Sequence, residues 1–232
     1  MTLGFDMRQP ITAAALSLAV LGGCTQVSYV DRGTTKNIDT ASAQQEPITR
    51  QVDYHLERAF YETPPDCVMV LPARVPKGTD AGIGRRIDDA VARHLNGYLD
   101  KVIDARRLGV QARERVLDPA HPGDRQRLGR ALRCDTYMEV ETAGVSSSYA
   151  VVWTSLSIGV RMTLKRVRDD EVLWRGAHTA ERSGGGMPIT LLGAGAGMFN
   201  AGRLAGDKDA VPSMIDDSLR RTLASLPDMR RK

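Results

Sequence analysis

Between residues 156 and 165, Leu156, Ile158, Val160, Met162 and Leu164 alternate strictly with Ser157, Gly159, Arg161, Thr163 and Lys165. Successive side chains of an extended chain point to opposite faces, so this run predicts a strand with one buried and one wet face. Arg168-Asp169-Asp170 predicts a turn, and Val172 to Ala180 the returning strand of a hairpin. Ser183-Gly184-Gly185-Gly186 is expected to break the sheet there. A hairpin with one apolar face needs a second layer to cover it, and the rest of the chain must supply that layer.

The covering elements are readable upstream and downstream. Cys67-Val68-Met69-Val70-Leu71, ended by Pro72, is a continuous apolar run of the kind found in strands buried on both faces. After it, Thr79 or Asp80 caps a helix in which Ile83, Ile87, Val91 and Leu95 form one ridge and Arg85, Arg86, Asp88, Asp89 and Arg93 face water. Asn96-Gly97 stops that helix. Tyr98 to Asp104 is a second candidate strand, and the Arg-rich stretch after it has no clear period. Pro122 to Arg133 predicts a helix with Leu128, Ala131 and Leu132 inward, and Asp135 to Thr142 a further strand. Val211 to Leu226 predicts a terminal helix burying Ile215, Leu219, Leu223 and Leu226. Val52, Leu56 and Phe60, four apart, predict a short amphipathic helix over 48–62, closed by Thr63-Pro64-Pro65. The element order is βαβαβββα, without repeats. With 232 residues, 42% of them hydrophobic, the chain suffices for one core. The expected fold is α/β: a single domain over 48–232 with a mixed sheet, helices packed on it, and a C-terminal β-hairpin followed by helices.

The amino terminus states a location. From Ile11 to Leu21 the chain is a short run of Ile, Thr, Ala, Leu, Ser and Val behind Arg8. Its length of about 11 residues matches a secretory signal and falls short of the roughly 20 needed to cross a bilayer as a helix. Asp6 offsets Arg8, so a start at Met7 would give a cleaner positive region than one at Met1. Leu21-Gly22-Gly23-Cys24 resembles the lipobox of bacterial lipoproteins. In that motif, small residues let the backbone enter the peptidase, and the thiol accepts the lipid. Residues 1–23 then form a signal peptide, and Cys24 carries a palmitate-type anchor of several acyl chains, enough for stable membrane attachment. By resemblance to lipoprotein sorting rules, Thr25 in the position after the Cys directs the protein to the periplasmic face of the outer membrane. Residues 24–47 are polar, with Thr34-Thr35-Lys36-Asn37 and Ser42-Ala43-Gln44-Gln45, and predict a lipidated flexible tether.

Three segments carry a family likeness. Val68-Met69-Val70-Leu71-Pro72 looks like an opening strand ending in Leu-Pro. Leu132-Arg133-Cys134-Asp135-Thr136-Tyr137-Met138 looks like a helix-to-strand junction. Tyr149 through Leu164, with Asp169-Asp170-Glu171-Val172-Leu173-Trp174-Arg175-Gly176, looks like a final hairpin with Leu-Trp-x-Gly after its turn. Together, within roughly 66–182, they resemble a family of uncharacterised envelope lipoproteins similar to the TolB amino-terminal domain, CsgG, LpoB and PelC. Arg133-Cys134-Asp135 stands where that family usually has Gly-Ala-Asp, and Asp170 where its turn often has Gly. The resemblance implies the α/β fold and a place in secretion, synthase activation or polysaccharide export, and fold alone does not choose among them.

No constellation for catalysis emerges. His55, His94, His121 and His178 are scattered, with no metal-ligand spacing, so no metal or cofactor is expected. Ser146-Ser147-Ser148 lacks a Gly-x-Ser-x-Gly frame and predicts a polar hairpin loop. Asp88-Asp89 and Asp169-Asp170 are neighbours only along the chain. Cys67 and Cys134 each open a predicted strand in a chain addressed to an oxidising compartment. Two readings stay open, a disulfide or two buried reduced thiols. Leu191, Leu192, Gly193, Gly197, Met198 and Phe199 combine apolar groups with glycines four apart. Flexible loop or ordinary helix packing, partner or homo-oligomer contact, and membrane contact are its three readings. Lys+Arg 32 against Asp+Glu 28 is too small an excess to imply nucleic acid, and the Arg clusters at 85–86, 106–107, 125–133 and 230–231 are solvated or meet anionic envelope polymers or lipid headgroups. The expected function is a non-enzymatic accessory of an envelope assembly, secretion or export machine, anchored to the membrane and bound to envelope proteins. The alternative is a self-associating ring or pore component.

Overall fold

The computed structural model describes residues 27–31, 33, 51–77, 81–150, 153–185 and 209–230. In chain order these form β1 (Ser28–Asp31), β2 (Gln51–Leu56), α1 (Arg58–Glu62), β3 (Cys67–Val70), α2 (Ala81–Leu95), β4 (Lys101–Ile103), α3 (Ala105–Arg115), α4 (Pro122–Leu132), β5 (Thr136–Ala150), β6 (Trp153–Arg166), β7 (Val172–Gly185) and α5 (Ala210–Leu223). The strands make one mixed sheet in the order β1-β2-β7-β6-β5-β3-β4. β4, β3 and β5 are parallel, β5, β6 and β7 form an antiparallel meander, and β2 adds antiparallel to β7 with β1 parallel outside it.

Helices cover both faces, and β3 shows why. All four of its residues are buried: Val68 and Val70 enter one apolar cluster, Cys67 and Met69 the other. The larger cluster receives Ile158, Val160, Met162 and Leu164 from β6, so the alternating run behaves as its period requires. α2 covers it with Ile87, Val91 and Leu95, and α5 with Met214, Ile215, Leu219 and Leu223. Each such side chain contributes about 1.5–3 kcal/mol when fully buried. The smaller cluster joins Leu108 and Ala112 of α3 and Leu128 of α4 to Met69, Ile103 and Tyr137. Among the described residues, no helix is long and apolar enough to cross a membrane.

Several expectations are corrected. The 48–62 segment is not one helix: Gln51–Leu56 is strand, and only Arg58–Glu62 is helical. Val52 pairs with His178 and Leu56 with Trp174, while Phe60 meets the cluster that Leu56 packs against from α1, so the spacing of four spans two elements and is not one helical face. The polar 24–47 segment contains β1, because the free edge of β2 offers it a parallel ladder from Ser28↔Gln51 to Asp31↔Tyr54. The second strand is confined to Lys101–Ile103, since Tyr98 and Leu99 donate their N–H groups to the Leu95 carbonyl in a turn. In α4, Leu128 is buried and Leu132 packs half-buried against the smaller cluster as expected, but Ala131 is exposed, and Arg125 and Gly129 join the inward face. Gly129 allows the close approach: a Cβ there would lie 2.8 Å from the Cys134 carbonyl oxygen. The Arg-rich stretch forms α3, started by Asp104, whose carboxylate accepts the Arg107 N–H at 2.7 Å. Ser146, Ser147 and Ser148 lie within β5, not in a loop, and Ser183-Gly184-Gly185 does not break β7 but pairs with Ser155, Thr154 and Trp153. The backbone ladder needs no particular side chains, so polar and glycine residues continue it.

Candidate functional site

Leu21, Gly22, Gly23 and Cys24 lie outside the described residues, as do Leu191, Leu192, Gly193, Gly197, Met198 and Phe199. Cys67 and Cys134 are joined by a disulfide with Cα atoms 5.3 Å apart. It ties the first residue of β3 to the junction between α4 and β5, and Thr136 Oγ1 donates to the Cys67 carbonyl across the same pair of strands.

Beside the disulfide opens a pocket of about 380 Å³. Its wall includes Cys134, Gly129 and Val167, and its charged lining is Arg130, Arg133, Arg166 and Arg168 with Asp66 and Asp135. Arg166 is engaged by Glu171 and Asp169, and Arg168 by Asp169 at 2.9 Å. The Arg168 contact holds the Asp169 carboxyl below the usual carboxylate range. Arg133 sits at φ 49, in the left-handed region that glycine occupies more cheaply. Guanidinium and carboxylate groups around an apolar floor can bind a small polar group.

Behind the pocket a buried pin locks the β6–β7 turn. Arg125 is 4% exposed. It donates to Asp170 Oδ1 at 2.9 Å and to the Pro119 carbonyl at 3.1 Å, and lies 4.1 Å above the Tyr137 ring centroid. Tyr137 Oη donates to the same Asp170 oxygen at 2.7 Å. Burial pushes the Asp170 carboxyl up, but the hydrogen bonds from Tyr137 and Arg125 and the Arg125 charge outweigh it, leaving the group below its ordinary value. Tyr137 moves the other way, raised by burial and by donation to Asp170. Asp169-Asp170 therefore serves as turn structure, with Asp170 itself at φ 57.

The remaining candidates are dispersed. His94 Nε2 lies 3.1 Å from Asp216 Oδ1, and His178 Nδ1 lies 2.8 Å from the Gln51 carbonyl, where burial lowers its pKa. His121 precedes α4. Asp88 accepts the Ala73 N–H at 2.8 Å, and burial raises it to about 6. Among the described residues, no group of three or more His, Cys, Asp and Glu could hold a metal ion.

Sequence reading missed the β1 edge. Beyond the ladder, His55 Nδ1 contacts Asp31 Oδ1 at 2.7 Å, and Tyr29 packs edge-on to Tyr54 with ring centroids 6.5 Å apart. Tyr29 Oη also reaches the Arg221 carbonyl at 3.4 Å. The Gly33 N–H and His55 together hold the Asp31 carboxyl low. The available signal was Tyr29-Val30 standing in an otherwise polar stretch, too short to establish a period.

No family model and no curated protein matches the chain. Among solved structures it is similar to the PelC dodecamer from Paraburkholderia phytofirmans, with TM-score 0.47 and 16% identity over 78% of this chain and 98% of that one. It is also similar to a lipoprotein from Neisseria meningitidis, with TM-score 0.41 and 14% identity over 56% and 91%. The LpoB C-terminal domain from Salmonella enterica gives TM-score 0.35 and 16% identity over 51% and 84%. PelC and LpoB are also among the proteins that the segments within 66–182 resemble.

Proposed function

We propose that this chain is a lipoprotein anchored through Cys24 to the periplasmic face of the outer membrane, serving as a non-enzymatic accessory of an envelope assembly, secretion or export machine. The observation that carries the reading is Leu21-Gly22-Gly23-Cys24 at the end of a signal-length apolar run. The Cys67–Cys134 disulfide supports export, since such bonds persist in oxidising compartments and are rare in reducing ones. The anchor fixes the domain at the membrane, and the domain presents its sheet edge and pocket to envelope proteins.

The test is growth with labelled palmitate followed by membrane fractionation. Wild type should take up label and sediment with outer membranes, and Cys24→Ala should lose both properties. Absence of label from wild type overturns the anchor. The molar mass of the detergent-solubilised protein, measured by light scattering, tests the ring alternative. A single closed multimer would replace the accessory reading with a self-associating one.

A further inference from the structure

We propose that the pairing of β1 with β2 is a latch that holds the β1–β2 edge of the domain against the lipid leaflet and, when released, lets the domain stand away from it. The inference rests on Cys24 being the anchored residue.

Chain length carries the argument. Ser28, the first residue of β1, is four positions past Cys24. A fully extended chain advances at most ~3.6 Å per residue, so the Ser28 end of a docked β1 lies within about 14 Å of the anchored residue, whatever path the chain takes. With β1 released, the next described strand after Cys24 is β2, which begins at Gln51, twenty-seven positions past Cys24. Twenty-seven residues of random coil would have a root-mean-square span of roughly 30 Å, and no chain of that number reaches beyond roughly 95 Å. One four-residue ladder thus selects between a domain held at the surface and one that ranges through the space beyond it.

The ladder suits reversible use. β1 is short, terminal in the sheet, and largely exposed, with Tyr29 at 43%. Among the described residues its side-chain ties to the domain are an ion pair from Asp31 to His55, a ring contact and a long hydrogen bond from Tyr29. β2 needs none of these to stay in place: it pairs with β7 from Val52↔His178 to Leu56↔Trp174, and Val52 is fully buried. Opening β1 therefore exposes little apolar area and belongs to the low-energy local motions of the fold. The Ser28 end of β1 also lies at the end of the sheet toward which β7 runs on to Gly185 and β5 and β6 meet.

The experiment uses the processed chain beginning at Cys24, which retains every described residue. The chain has three cysteines, and two are held in the disulfide, so a maleimide-headgroup lipid in a supported phosphatidylcholine bilayer couples at Cys24 alone. Neutron reflectometry then reads the height of the protein layer. Wild type should lie directly on the headgroups. A variant with residues 28–31 replaced by Gly-Ser-Gly-Ser, equal in length, should show its density moved outward by about 15 Å. The pair Asp31→Ala and His55→Ala should give an intermediate profile, and a thermal transition retained by each variant shows that the core is intact. Superimposable profiles for wild type and the replacement overturn the latch. Because coupling here is chemical, absence of palmitate label in cells removes the biological anchor without changing this result, so the two failures are told apart.

Discussion

At one edge of the sheet, β4 pairs with β3, whose four residues are all buried and whose first residue is bound by a disulfide to the entry of β5. At the other, β1 is mostly exposed and is held to β2 by one short ladder and a few polar side chains. Both edges end on short strands, three residues in β4 and four in β1, which limits what an added chain could pair with. The difference shows that stability is concentrated around the disulfide-linked strands and is thin at the β1 edge.

The largest test of this contrast removes the brace. The Cys67–Cys134 bond closes a separation of 67 residues. The chain-entropy model assigns such a loop about 4 kcal/mol of stabilisation. Cys67→Ala with Cys134→Ala should lower the unfolding free energy by roughly that amount in urea titration, because the unfolded chain regains the conformational freedom that the bond withholds. A change below about 1 kcal/mol would show that the brace does not set the stability of this edge.

The next effect concerns the buried pin at the same end. Asp170→Asn keeps a side chain that tolerates the left-handed backbone and can still accept from Tyr137, but it leaves Arg125 buried without an opposing charge. Because Asp170 is 44% exposed, the cost is discounted to about 2 kcal/mol. Asp170 is ionised in the native state with its pKa lowered, so its contribution is present above the ordinary carboxylate range and fades as pH falls through its lowered native value. The difference between wild type and Asp170→Asn in chemical denaturation should therefore shrink on acidification.

What the sequence made legible follows the same division. The braced part was readable because its elements carry long apolar periods: Val68 and Val70 in β3, Ile87, Val91 and Leu95 in α2, Ile158 to Leu164 in β6, and Ile215, Leu219 and Leu223 in α5. α3 stayed ambiguous because only Ala105, Leu108 and Ala112 face inward, too thin a stripe among its arginines, although Asp104 marks its start. β2 was read as helix because Val52 and Leu56 imitate a helical spacing with Phe60, and only the neighbouring strand decides otherwise. β1 has no apolar face of its own to announce it. The pocket was illegible for another reason: its arginines come from α4, its C-cap, the end of β6 and the turn after it, brought together only by the fold.

A smaller effect sharpens the contrast within the braced part. Asp88, on α2, is half-buried and raised to about 6, first by burial and further by Asp89, against the opposing hydrogen bond from the Ala73 N–H. The folded protein then binds a proton more tightly than the unfolded chain between the ordinary value of 3.8 and about 6. Stability from this group is full below that window and is lost as pH rises through it. Asp88→Asn, whose side-chain oxygen still accepts from Ala73, should raise the melting temperature at pH 7.5 and leave it nearly unchanged at pH 4. The gain corresponds to about 1 kcal/mol after allowing for partial exposure.

The smallest expected change in stability is at the exposed edge. Replacing 28–31 by Gly-Ser-Gly-Ser removes the ladder to β2, the Asp31–His55 pair and the Tyr29 contacts. Exposed ion pairs and short edge ladders contribute little, so global unfolding should shift by less than about 1 kcal/mol. Amide exchange along Gln51–Leu56 should nevertheless accelerate on the side that faced β1, while Val68 and Val70 keep full protection. If the replacement instead destabilises the whole domain as much as loss of the disulfide does, β1 is an integral strand. The domain would then be fixed at one distance from its anchor, because an edge that cannot open without unfolding the core cannot regulate reach.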